Sequence, residues 1–169
     1  MPFTPFHFGP GAAIKAAIPK HFSFTVFCFA QVATDCETAY YMVQGLYPWH
    51  RFFHTYLGAT LVGIFSLVVG RPLCQLALRR WAAWPAAPFR RYFAPESVIS
   101  FRSAAIGAFV GTYSHVLLDS IMHSDSRPFM PFSAANPFYG SVGLFSLHAS
   151  CIILGLFGAV CVALTQRKA

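Results

Sequence analysis

The chain is short of charge, and shortest of negative charge. Of its 169 residues only 10% are Asp, Glu, Lys or Arg, and just five are acidic. So few carboxylates cannot build the solvated surface of a water-soluble domain, and a 56% hydrophobic composition argues the same way. Cysteine is scarce too. Cys28, Cys36, Cys74, Cys151 and Cys161 are odd in number, scattered through mostly apolar sequence, and form no CxxC. That pattern argues against a disulfide framework and a thiolate metal site, and for small buried hydrophobes. The first residues have no basic n-region and are punctuated by Pro2, Pro5 and Pro10, so no signal peptide is expected there.

What the chain does have is long apolar sequence. Tyr56 to Leu78, Val98 to Ile121 and Gly143 to Thr165 each come near the ~20 residues a spanning helix needs. A fourth apolar zone, Ala12 to Ala33, is broken by Pro19-Lys20-His21. Each half is too short to cross a ~30 Å core, so two short helices in a re-entrant hairpin are expected. A single kinked span, giving four transmembrane helices, is the alternative. The expected fold is therefore an all-α integral membrane protein, one domain over residues 1–169, with three full spans and the N-terminal hairpin.

The net charge of +7 is unevenly placed. Arg71, Arg79, Arg80, Arg90, Arg91 and Arg102 surround the connection between the second and third apolar zones, and Arg167 and Lys168 lie at the end of the sequence. The positive-inside rule puts both regions on the cytoplasmic side, and three full spans separate them consistently. Residues 79–97 interleave those arginines with Trp81, Trp84, Pro85, Pro88 and Phe89, the mixture of a segment lying at lipid headgroups. Membrane lipids, not nucleic acid, are the expected partner. Glu96, after a proline, is expected to begin the third zone's helix as an N-terminal acid.

The remaining acids keep company with histidines. Asp35 and Glu37 follow the second short helix; His50 and His54 open the second apolar zone; His115 and Asp119 lie in the last turns of the third, with His123 and Asp125 just beyond. All fall at the outer end of their segments, and His7 joins them if Lys15 and Lys20 mark the cytoplasmic tip of the hairpin. His50/His54 and His115/Asp119 are each spaced i, i+4, one face of a helix, and pairs of this kind on neighbouring helices are how bundles build metal sites. His7, Asp35, His50, His54, His115 and Asp119 are the candidate ligands. Imidazole with carboxylate suits zinc, manganese or iron better than magnesium or calcium. The bland alternative is a structural hydrogen-bond network, the reading preferred for His21 and His148.

Four short motifs also carry a resemblance: Met-Pro-Phe-Thr-Pro-Phe-His7, the acidic pair after a short helix, His50-Arg-Phe-Phe-His54, and Ser-His115-x3-Asp119. In this order they resemble the inner-membrane-associated metal-dependent hydrolases, sometimes described as LexA-binding, over about residues 1 to 140. Two features depart from that family. Its acidic pair usually follows a proline, where this chain has Ala33-Thr34, and its histidine stretch typically reads His-Arg-x-x-Thr-His-Ser. A more distant likeness links the chain to zinc-dependent phospholipase C and the P1-type nucleases, and implies His7, Asp35, His54, His115 and Asp119 as ligands.

The expected activity is metal-dependent hydrolysis, of a phosphoester in a lipid or lipid-linked substrate, in the inner (cytoplasmic) membrane with the site toward the non-cytoplasmic face. Zinc is the expected metal, Glu37 the base that takes a proton from water, and Arg51 the group that meets a phosphate oxygen. The alternative is a small accessory subunit of a larger membrane complex, its polar site structural or vestigial. Nineteen Phe and the small residues Gly155, Gly158, Ala159 and Ala163 in the last apolar zone would suit packing against partner membrane subunits.

Overall fold

The computed structural model describes residues 5–84 and 98–166, and every regular element among them is helical. Five helices follow in order: α1 (Phe8–Ala17), α2 (Phe24–Val43), α3 (Tyr56–Ala83), α4 (Phe101–Met122) and α5 (Leu144–Gln166). Short 3-10 turns, Pro5–His7 and Phe52–His54, lead into α1 and α3. Helices α3, α4 and α5 are long and apolar enough to cross a membrane, and they coincide with the three expected spans. Met1 to Thr4, Pro85, Pro88, Phe89, Arg90, Arg91, Glu96, Arg167 and Lys168 lie outside the described residues.

The broken apolar zone is a helical hairpin, but not one of two short arms. Helix α1 has 10 residues and α2 has 20. Asp35 and Glu37 therefore do not follow the second helix: they sit inside it, with about two more turns to Val43. The acids do not stop the helix because their side chains are engaged elsewhere, as shown below, and so do not compete for the local backbone. The hairpin turn is tied by Lys15 Nζ, which donates to the carbonyls of Pro19 (2.7 Å) and Phe22 (3.0 Å).

Helices α2 and α4 run side by side in the same direction. At one end Ser23 N donates to Ser103 O (3.1 Å); further along, Gln31 meets His115. Such closeness requires glycine: a Cβ on Gly107 would stand 2.4 Å from Ser23 O. Ser100 caps α4 through its Oγ on Ser103 N, and Thr55 caps α3 through Gly58 N, each satisfying an end N–H. Helix α3 widens to a π turn at Ser66–Gly70, just before Pro72, whose missing N–H breaks the regular ladder. Helix α5 lies on the outside against α1, where Gly158 meets the backbone of Ala12. Beyond α4 the chain folds back over the helix end, held by Asn136 Nδ2 donating to Ser120 O (2.9 Å) and His123 O (3.4 Å).

Candidate metal centre

Four side chains from three elements meet in the interior. Asp35 comes from α2, His54 from the turn before α3, and His115 and Asp119 from one face of α4; all four are buried. His54 Nε2 is 3.2 Å from Asp119 Oδ2 and 3.8 Å from Asp35 Oδ1, while His115 Nε2 is 3.1 Å from Asp119 Oδ2 and 3.2 Å from Asp35 Oδ1. Ligand atoms ~2.1 Å from one zinc ion in a tetrahedron stand roughly 3.4 Å from each other, so the observed spacings bracket that of a single bound cation.

Proton bookkeeping on His115 points the same way. Gln31 Nε2 faces the carbonyl of His7 (3.4 Å), which only accepts, so Gln31 Oε1 faces His115 Nδ1 at 2.6 Å and the proton belongs on that nitrogen. His115 Nε2 is then a lone pair between two carboxylates. His115 Nε2, His7 Nε2 and His54 Nδ1 are buried without a hydrogen-bond partner among the described residues. A lone pair facing two carboxylates in an apolar interior is costly, and a cation among them removes the cost.

Around this core stand the groups that aim it. Glu37 accepts from the backbone N–H of Phe52 (3.1 Å) and Phe53 (2.7 Å), and its Oε2 lies 3.7 Å from His54 Nδ1, on the side of the ring away from the cluster. His50 Nδ1 donates to Asp125 Oδ1 (2.9 Å), whose other oxygen accepts from the N–H of Trp49 and His50. Burial, reinforced by His54 alongside, pushes His50 down to about 4, so the ring is neutral at neutral pH. Burial opposes ionisation of Asp125, but His50 and the two backbone donors hold its carboxyl below the usual range. His50 Nε2 is thereby turned toward Asp119 Oδ2, at 3.8 Å. The second oxygen of Asp119 faces His7 Nε2 (3.5 Å) and His123 Nε2 (3.8 Å), and the His123 ring stacks on His50.

All six expected ligands thus converge, His7 and His50 at the margin of the four-residue core. His50 and His54 do so without the helix that their spacing suggested. His54 ends the 3-10 turn ahead of α3 and His50 precedes that turn, and their rings stand 4.9 Å apart. Glu37 does not face the cluster, because its carboxylate is occupied by two amides and the back of His54; this placement does not fit a base. Arg51 donates to Pro48 O (2.8 Å) and Leu46 O (3.4 Å) and stacks on Tyr41, 3.8 Å from the ring centre. His21 is exposed at the hairpin tip, and His148 is bonded to Leu144 O away from the cluster. Gln31 is the residue that sequence reading missed. It lies four before Asp35 on the same helix face, a spacing that could have shown it.

A cavity of about 200 Å³, lined by His7, Gln31, Val32, Asp35 and His115 among others, reaches the cluster from the side of α2. No protein-family model, curated protein or solved structure matches the chain.

Proposed function

We propose that the protein is a membrane-embedded metal-dependent hydrolase acting on a phosphoester in a lipid or lipid-linked substrate. The observation that carries the reading is the buried quartet Asp35, His54, His115 and Asp119, with ligand atoms within 4.8 Å of one another and His115 Nε2 without a hydrogen-bond partner among the described residues. Helices α3 to α5 are each long and apolar enough to cross a membrane, which supports three spans. Arg79 and Arg80 near the end of α3 and Arg102 at the start of α4 put the far end of the bundle on the cytoplasmic side. The metal centre then lies toward the non-cytoplasmic face, with the α1–α2 hairpin re-entering from that face to deliver His7 and Asp35.

The quartet would hold the ion, zinc being the best fit to two imidazoles and two carboxylates, and the ion would supply Lewis acidity and a water acidic enough to attack at neutral pH. The chain's own groups do the rest. Asp125 fixes the His50 proton on Nδ1, which leaves Nε2 free at the edge of the cluster to take a proton from the attacking water. Glu37 holds the turn that carries His54, and Gln31 fixes the proton of His115. The lateral cavity gives a substrate headgroup a path to Asp35 and His115. The resemblance to the inner-membrane-associated hydrolases agrees with this reading.

The test is hydrolysis of a short-chain phospholipid by the purified protein. Turnover should vanish on chelation, return with zinc, and be absent in Asp119→Asn. Turnover indifferent to chelator and to Asp119→Asn would refute the reading.

A further inference from the structure

A second and larger cavity lies on the other side of His50. It has a volume of about 480 Å³ and is bounded by the loop before α3 and the loop after α4. Its charged lining consists of Arg51, Arg127 and Asp125, and its apolar lining includes Leu57 and Met130. Asp125 is anionic too, but both its oxygens are turned to His50 and to two backbone N–H groups. The lining therefore sets two guanidinium groups against one carboxylate and is net positive. Arg127 is anchored by Nη1 on Ser124 O (2.8 Å) and Ser126 O (3.1 Å), and Arg51 by its bonds to the 46–48 backbone, so both cations are held in place.

The apolar lining does not end at the cavity mouth. Leu57 begins a stripe of exposed residues on α3, with Leu61, Ile64 and Val68 following at i+4, i+7 and i+11. That stripe runs down the length of a spanning helix from the cavity. A site with fixed cations at the interface and an apolar track leading into the hydrocarbon has the shape of an amphiphile, with its charge at one end.

We propose that this cavity binds an anionic phospholipid, its phosphate between Arg51 and Arg127 and one acyl chain along the Leu57–Val68 face. The site stands beside the metal centre, with His50 as the wall between them. The assignment rests on the membrane placement proposed above but not on the metal or on hydrolysis. It makes Arg127 a specificity residue for headgroup charge.

The experiment is quenching of Trp49, whose neighbours Pro48 and His50 line the cavity, in a protein carrying Trp81→Phe and Trp84→Phe and embedded in phosphatidylcholine nanodiscs. Brominated-chain phosphatidic acid and brominated-chain phosphatidylcholine are the two probes. Phosphatidic acid should quench at a membrane fraction roughly fivefold lower, the advantage that a cation confers at an anionic headgroup. Arg127→Gln should erase that preference and Arg127→Lys should keep most of it, both with metal content unchanged. In a variant retaining only Trp81, beside Arg79 and Arg80 at the far end of α3, any preference should be unchanged by Arg127→Gln. Equal quenching of Trp49 by the two lipids, a preference there that survives Arg127→Gln, or an equal loss at Trp81 in that variant would overturn the proposal. Inorganic phosphate at millimolar concentration should leave the preference intact. If it abolishes the preference, the cavity reads free phosphate and the acyl track is wrong. If Arg127→Gln loses metal through misfolding, the same measurement in Arg51→Gln decides: loss of the preference at Trp49 supports the proposal and its survival overturns it.

Discussion

A neutral imidazole carries one proton, and the partner that fixes this proton decides what the other nitrogen can hold. Gln31 does this for His115, Asp125 for His50, and Glu37 stands behind His54. Partners of this kind typically affect metal affinity by 10- to 100-fold. Glu37→Gln should therefore weaken metal retention by roughly that factor without abolishing it, measured by competition with a chelator of known affinity. Gln31→Leu should act through His115 in the same direction. Asp125→Asn should instead leave metal bound and slow turnover, since His50 stands outside the quartet. His21→Ala should have no effect, since His21 lies at the other end of the hairpin. An unchanged affinity in Glu37→Gln would show that Glu37 only ties the turn before α3 and does not aim His54. The His115/Asp119 pair was legible in the sequence because a helix turns spacing into geometry. The role of Glu37 was not, because the chain between α2 and α3 returns through irregular backbone, where spacing fixes no direction.

At the scale of elements, the centre depends on how closely α2 and α4 approach, since Asp35 rides on one and His115 and Asp119 on the other. Gly107→Ala places a Cβ against Ser23 O, a backbone atom that can move only by parting the helices. It should cost about 1–3 kcal/mol, as overpacking does, and lower metal affinity as well. Gly158→Ala is the contrasting case. Its Cβ would meet the Ala12 backbone at 2.3 Å, so α5 should loosen from α1, but α5 contributes no residue to the quartet and metal should stay bound. Thermal unfolding in detergent alongside metal content separates the two. Equal metal loss in both variants would show that the centre senses general destabilisation and not the α2–α4 spacing. The three spanning helices were readable from apolar length alone. The extent of α2 was not, since burying its acids against α4 and the His54 turn is a tertiary event.

At the scale of the whole molecule, the acids and most histidines among the described residues are gathered at one end of the bundle, with the arginines of α3 and the start of α4 at the other. In a cysteine-free background, a thiol placed at Ala134 should react with a membrane-impermeant reagent in intact cells, and one at Ala83 only after lysis. The reverse pattern would invert the orientation and leave the metal centre untouched. The central claim is that the buried quartet holds a metal ion, and elemental analysis of the purified protein tests it most directly. The account predicts stoichiometric zinc, or manganese or iron in its place, in the native protein, and its loss in His115→Ala and Asp119→Ala. A folded native protein without stoichiometric metal would contradict it, and would leave the cluster as a structural network in an accessory membrane subunit.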